Sequence, residues 1–355
     1  MKLYEKMESG VYVIAEMSAN HAGKIETAFE IIEEAAKAGA DCVKIQTYTA
    51  DTLTIDCDSE AYRIRGGLWD GYSYYSLYQE AYTPWEWQAA LKEKCEAVGV
   101  DFLSTPFDRT AVDFLEGIGV EGYKIASFEL VDLPLIEYVA AKGKPVLLSC
   151  GMGSEEEIEE AVTACKKQGN DRIVLLKCCS QYPARYEDMN LSLIPEMKKR
   201  FGVPVGLSDH SMGSLAPVAA VALGASVVEK HVCLSRSTES ADAGFSMEME
   251  EFAKMTEDVR HAVQLMGRPS YERTEHEKNG LLMRRSLVAV RPIAKGEAFT
   301  PDNVRSIRPA IGIKPKYYSE LLGKPAGKAY AFGDPIAPME LSGKTQNAED
   351  GTQSF

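Results

Sequence analysis

Histidine is scarce in this chain, with five residues among 355, and tryptophan scarcer still, with three. Long apolar runs are missing too. No stretch approaches the ~20 consecutive apolar residues of a membrane span, and the opening Met1-Lys2-Leu3-Tyr4-Glu5-Lys6 carries no apolar signal segment. The expectation is a cytoplasmic protein with no membrane partner. Cations are in deficit, 39 Lys and Arg against 53 Asp and Glu, for a formal charge of −14. The clustered Lys and Arg that hold a phosphate backbone are absent, which argues against nucleic acid as a partner; an anionic ligand needs a local positive site instead. Eight cysteines are scattered with no CxxC pair and no regular spacing, which fits free thiols in a reducing compartment rather than a disulfide framework.

What is present belongs to a globular protein: 45% apolar and 26% charged residues. The length suits a barrel of roughly 250 residues with a small appendage. Short apolar runs at 11–18, 42–48, 101–107, 123–127, 145–151, 173–180, 203–210 and 225–232 read as eight strands. Amphipathic helical patterns separate them, as at 26–38, where Ala28, Ile31, Ile32, Ala35 and Ala36 share one face. Eight βα repeats predict an α/β fold, a closed (β/α)8 TIM barrel over residues 1–267. Polar residues appear where the apolar runs end: Glu16, Lys44, Gln46, Thr105, Lys124, Ser127, Ser149, Ser180, Ser208 and two histidines. A parallel barrel gathers these ends on one face, the face that carries active sites. A single serine or threonine there is commonly a helix cap, so the weight lies on the collective pattern.

One connection, about 49–87, is far longer than the others and dense in Tyr and Trp. Aromatic density opposes disorder, and a folded cover or pocket wall is expected, with a satellite cluster or subunit contact as the equal alternative. Residues 268–285 read as a charged linker, 286–343 as a small β-rich domain with Pro and Gly turns, and 344–355 as a polar tail.

Ser208-Asp209-His210-Ser211 and Glu229-Lys230-His231 each close an apolar β-branched run. Two imidazoles at adjacent strand ends can share a divalent cation; core packing is the alternative. Lys44 and Lys124, beside strand-end hydroxyls, suit a phosphate and a carboxylate, or else one desolvated lysine suits a Schiff base. Glu16, flanked by apolar residues, is either an acid or base or the ionic partner of a strand-end lysine. His21 either orients a ligand or caps its turn. Cys178 and Cys179 are neighbours on one strand, so at most one reaches the site.

Glu16-Met-Ser-Ala-Asn-His-Ala-Gly23, Lys44-Ile-Gln-Thr-Tyr48, Ser104-Thr-Pro-Phe107, Tyr123-Lys-Ile-Ala-Ser-Phe-Glu129, Leu207-Ser-Asp-His-Ser211 and Glu229-Lys-His231 together resemble the sialic acid synthase family. The C-terminal unit, with Arg305-Ser-Ile-Arg-Pro-Ala-Ile-Gly312, is similar to the antifreeze-like (SAF) domain of those enzymes. Within the family, Gly67-Leu-Trp69, Ser76-Leu-Tyr78 and Thr83-Pro-Trp-Glu-Trp87 look most like the branch that makes pseudaminic acid. The resemblance implies condensation of phosphoenolpyruvate with the open-chain aldehyde of an N-acetylated hexose, with carbon-oxygen cleavage releasing phosphate. It implies that Lys44, Thr105, Lys124, Ser127, Ser149, Ser180 and Ser208 hold phosphoenolpyruvate, and that Gln46, Glu129, Tyr182, Glu229, Asp242 and Arg308 serve the sugar. It also implies Glu16 as the catalytic carboxylate, and His210 and His231 as ligands of Mn2+, Mg2+ or Co2+. A domain-swapped homodimer would bring Arg308 to the partner's barrel. Ser180 stands where the N-acetylneuraminate enzymes carry asparagine, a departure at one phosphoenolpyruvate contact.

Overall fold

A computed structural model describes residues 1–341 of the chain. All eight expected strands form: β1 (Tyr12–Glu16), β2 (Cys42–Thr47), β3 (Asp101–Pro106), β4 (Tyr123–Ile125), β5 (Val146–Ser149), β6 (Ile173–Cys178), β7 (Val205–Asp209) and β8 (Val227–Cys233). They pair in parallel in sequence order, and β1 closes on β8. The closing register sets Glu16 opposite His231 on one side and opposite Lys44 on the other.

Side chains alternate across a strand, and here the two parities have separate duties. Val13, Ala15, Val43, Ile45, Ile173 and Leu175 pack outward in one core with helical residues such as Ile31, Ile32 and Ala35 of the helix Ile25–Lys37. Tyr12, Ile14, Cys42, Leu103, Leu147 and Leu176 point inward and form a separate apolar plug together with fully buried Leu3 of the helix Leu3–Ser9. Burying a leucine of this kind stabilises by about 1.5–3 kcal/mol. The interior is crowded enough to demand a glycine: a Cβ at Gly206 would meet Val227 O at 2.5 Å and Leu176 Cδ2 at 2.7 Å. Continuing the inward parity toward the strand ends turns the lining from apolar to charged, at Glu16, Lys44, Thr105, Lys124, Ser208 and Glu229.

The long connection is folded. It carries the helices Ala50–Leu53 and Tyr74–Ala81 and a bridge between Arg63 and Ser73. Trp69 Nε1 donates to Ala241 O at 2.9 Å, pinning the connection to the segment after β8. Trp85 and Trp87 behave differently, because they begin the helix Trp85–Val98 that packs on the barrel. Trp85 lies 4.9 Å from Phe114 between ring centres, and Trp87 lies 5.6 Å from His21.

After β8 comes the two-residue β9 (Met247–Glu248), which pairs with β8, and then the helix Met249–Met266. A second compact unit begins at Arg268. Residues 268–285 are not featureless: Thr274 caps the short helix Glu275–Lys278, followed by a turn of 3-10 helix, Asn279–Met283. β10 (Ser286–Ala289) pairs antiparallel with β11 (Val304–Ile307) over a core of Leu287, Ile293, Phe299, Ile313 and Ile336. The expected domain end at 342–343 and the tail at 344–355 lie outside the described residues. Among the described residues no helix is long and apolar enough to cross a membrane.

Candidate active site

Four ionisable side chains from three neighbouring strands and β4 meet inside the barrel. Lys44 on β2 forms an ion pair with Glu16 on β1, donates to Thr105 Oγ1 at 3.2 Å and lies 3.7 Å from Glu229. Lys124 on β4 reaches both oxygens of Glu229 on β8, at 2.7 and 2.8 Å. Ser208 on β7 donates to the same carboxylate at 3.2 Å. The two ammoniums are therefore not solitary cations; each is held in place by a buried carboxylate. That pairing is what lets them stay buried, since an unpaired charge inside a protein costs several kcal/mol.

The two carboxylates are driven apart by their surroundings. Burial works to raise Glu229, but the Lys124 and Lys44 ammoniums outweigh it and hold the carboxyl down at about 2. For Glu16 burial prevails: its carboxyl is raised despite Lys44, and the negative charge of Glu229 adds to the rise. Two carboxylates with opposed shifts in one cleft are the usual signature of divided acid and base duties.

Above this network lies a cavity of about 520 Å³. Trp69, Tyr74, Leu77 and Tyr78 of the long connection wall one side, so that segment is the pocket wall expected, while Trp87 packs on the barrel core and Trp85 on Phe114 instead. Gln46, Glu129, Ser180, Tyr182, His231 and Asp242 also line it. Glu129 sits on a 3-10 turn, Ser127–Glu129, with Oε2 buried and unpartnered, and burial pushes its carboxyl up to about 7. Ser127 Oγ accepts from Gly151 N at 3.0 Å. A Cβ at Gly151 would meet Ser127 Oγ at 2.7 Å and Ser180 Oγ closer still, so the glycine keeps two hydroxyls at one spot. Ser149 Oγ is buried with no partner. Tyr182 stacks between His210 and Trp69, at 4.4 and 5.4 Å between ring centres.

The two strand-end histidines come together, with ring centres 5.3 Å apart. Nδ1 of His210 lies 2.9 Å from Cys179 O, which makes Nδ1 the donor and leaves Nε2 as the basic nitrogen. Burial, then the charges of His210 and the nearby lysines, pushes His231 well below the usual histidine range, and its Nδ1 is buried without a partner. A neutral imidazole with an unclaimed nitrogen is the state a metal requires. His231 meets that condition, while for His210 burial is outweighed by the Cys178 and Cys179 contacts, which raise it; the two rings at adjacent strand ends fit a divalent cation by their placement. No cluster of three or more His, Cys, Asp or Glu able to hold a metal exists among the described residues. Cys178, facing inward as one of the two cysteines had to, lies 3.8 Å from His210 Nδ1.

Other sequence readings resolve differently. His21 caps its turn, accepting from Gly23 N at 3.1 Å and lying 3.2 Å from Thr83 Oγ1; burial lowers its imidazole to about 4. Lys230 and Asp209, inside the two histidine motifs, form a buried ion pair at 2.5 Å that ties β8 to the end of β7. Arg308 lies in the second unit, exposed just after β11. Two participants escaped the sequence reading: Ser18, whose hydroxyl bonds Asp242 and Gln46, and Phe245, whose ring stands 4.9 Å from that of His231. Ser18 closes the first apolar run without a role in the sequence reading, and Phe245 stands outside every run.

Comparison with known proteins gives the family. The NeuB family model matches residues 31–271, and the SAF domain model matches residues 284–341. A pseudaminic acid synthase of Campylobacter jejuni is 46% identical over 92% of this chain and 95% of its own length. A pseudaminic acid synthase of Helicobacter pylori is 40% identical, over 93% and 97%. Among solved structures, the N-acetylneuraminic acid synthetase of Leptospira borgpetersenii in complex with citrate superposes with a TM-score of 0.69 at 33% identity, covering 77% of this chain and 90% of that one. With a family model spanning most of the barrel and relatives matching nearly end to end, the chain belongs to the NeuB family, with a SAF domain following the barrel in sequence.

Proposed function

We propose that this protein condenses phosphoenolpyruvate with 2,4-diacetamido-2,4,6-trideoxy-L-altrose to give pseudaminic acid and phosphate. The observation that carries the reading is the interior network of Lys44, Lys124, Glu16 and Glu229, joined through Gln46 to an aromatic-walled cavity. An anionic enol ester needs cations and hydroxyls; a deoxy sugar with two acetamido groups needs apolar walls and a few acceptors. Both are present, one beside the other.

Lys44 and Lys124, with the hydroxyls of Thr105, Ser127, Ser149, Ser180 and Ser208, bind the phosphate and carboxylate of phosphoenolpyruvate. Gln46, Glu129, Tyr182, Glu229 and Asp242 bind or support the hexose, whose methyl group meets the aromatic wall of Trp69, Tyr74 and Tyr78. His210 and His231 would hold a divalent cation, Mn2+, Mg2+ or Co2+, which when bound polarises an aldehyde oxygen as a Lewis acid. Condensation at the methylene carbon leaves positive character on the adjacent carbon and turns the aldehyde oxygen into a hydroxyl after it takes up a proton. Water adds at that carbon, and the adduct collapses by breaking its carbon-oxygen bond to phosphate, leaving the 2-keto acid. Glu16, raised by burial, takes that water's proton. Lys124 does not act as a Schiff base in this reading: burial and the neighbouring Lys44 lower its ammonium, but its Nζ is engaged by both oxygens of the Glu229 carboxylate.

The reading carries two further parts. The protein works in the cytoplasm, where phosphoenolpyruvate is made. It works as a domain-swapped homodimer, in which Arg308 of one protomer completes the sugar site of its partner; the exposure of Arg308 and the close relationship to family members with the same SAF domain support this.

The test offers phosphoenolpyruvate with each of three hexoses, the L-altrose derivative, its stereoisomer that leads to legionaminic acid, and N-acetylmannosamine, and measures released phosphate. Turnover with the L-altrose derivative well above the others is expected. Turnover with N-acetylmannosamine alone would overturn the choice of sugar.

A further inference from the structure

Ser18 adopts φ of +46°, in the left-handed region that side chains other than glycine rarely enter. It is buried just beyond β1 and lines the cavity. A residue in that conformation is normally replaced by glycine unless its side chain does something glycine cannot. Here the hydroxyl has two partners from distant parts of the chain. Ser18 Oγ donates to Asp242 Oδ2, and it accepts from Gln46 Nε2 at 2.9 Å. The same Nε2 also donates to Glu16 Oε1 at 3.2 Å. Glu16, Gln46, Ser18 and Asp242 are thus one hydrogen-bonded chain running from the charged interior to the cavity wall.

Hydrogen-bond chemistry gives this chain a direction. A carboxylate only accepts, so the Gln46 group facing Glu16 must be its NH2 end. The Ser18 hydroxyl spends its single proton on Asp242 and offers a lone pair to the second N–H of Gln46. With both hydrogens of Nε2 engaged, Oε1 is the remaining pole of the amide, an acceptor on the cavity wall.

We propose that Ser18 is a positioning residue for sugar selection: it locks the Gln46 amide and the Asp242 carboxylate so that both present acceptors to an N–H or O–H donor of the hexose, an acetamido N–H at Gln46. The inference rests on the substrate reading above. It assigns Ser18 no part in binding phosphoenolpyruvate, whose cradle lies on β2 to β7.

The experiment compares Ser18→Ala and Ser18→Gly with the unaltered enzyme, in steady-state assays that vary each substrate separately and in thermal melts. Alanine removes the hydroxyl and keeps the left-handed strain; glycine removes both. Both variants are expected to raise KM for the acetamido hexose by about tenfold, the effect of one well-placed hydrogen bond to a buried group, and to leave KM for phosphoenolpyruvate within about twofold. Glycine, relieved of strain, is expected to melt no lower than alanine. Unchanged KM for the hexose in Ser18→Ala would overturn the proposal, as would an equal loss for both substrates. Failure of the unaltered enzyme to use any acetamido hexose would instead overturn the substrate reading; hexose-induced quenching of Trp69 fluorescence, abolished or kept in Ser18→Ala, then decides the positioning role alone.

Discussion

Lys124 Nζ lies 2.7 and 2.8 Å from the two carboxylate oxygens of Glu229, across the interior of the barrel from β4 to β8. Both side chains are buried, and the same carboxylate is within 3.7 Å of Lys44. One acidic group therefore holds both buried lysines, and its removal is felt twice.

Glu229→Gln leaves a buried ammonium short of its counter-charge, a change that costs about 3–5 kcal/mol when a buried pair is broken. Denaturant melts should show that loss, with a raised KM for phosphoenolpyruvate. The pH dependence follows from sign. Glu229 is depressed from 4.5 to about 2, so its contribution is complete above pH 4.5 and disappears as pH falls toward 2, by roughly 3 kcal/mol in all. Glu229→Gln should flatten that acid limb of stability.

Glu129 has the opposite sign. Burial raises its carboxyl from 4.5 to about 7, so the folded state is favoured below pH 4.5 and that advantage is lost as pH climbs through 7, at most roughly 3 kcal/mol. Glu129→Gln should raise the melting temperature at pH 8 by several degrees and leave it unchanged at pH 5. Equal shifts at the two pH values would show that Glu129 is not the titrating group.

Chelation tests the imidazole pair. EDTA should abolish phosphate release and Mn2+ restore it. Because a ligand that binds only the folded state stabilises it, Mn2+ should also raise the melting temperature of the unaltered protein but not of His210→Ala or His231→Ala. Mn2+-independent turnover in the fully demetallated enzyme would contradict the assignment.

Exchange of subunits tests Arg308. Arg308→Ala and Glu16→Gln should each be inactive alone, the latter by about 10²–10⁴-fold. If Arg308 serves the partner's barrel, mixing the two and letting subunits exchange assembles one intact site per mixed dimer, for about a quarter of full activity. Should activity fail to return in mixtures whose exchange is verified by mass, Arg308 does not act across protomers.

Much of this site was legible along the chain because a parallel barrel turns a one-dimensional pattern into a place. Each strand end lies on the same face, and alternate residues share the interior, so Glu16, Lys44, Thr105, Lys124, Ser208, Glu229 and His231 were bound to converge once eight strands were counted. Motif resemblance then supplied the chemistry. The aromatic connection was legible as a wall but not residue by residue. Trp69 and Trp85 are sixteen positions apart in one aromatic stretch, yet one faces the cavity and the other packs on Phe114.

Local periodicity alone determined the strands, the helices between them, their closure into a barrel and the face on which polar side chains gather, since all of these follow from short-range pattern and the parity of a strand. Tertiary structure decided the pairings: that Lys124 and Lys44 share Glu229, that His21 caps a turn rather than facing the site, and that Ser18 joins Gln46 to Asp242, 224 positions away. Those are contacts between residues remote in sequence, set by barrel register and loop packing, and no window on the chain contains both partners.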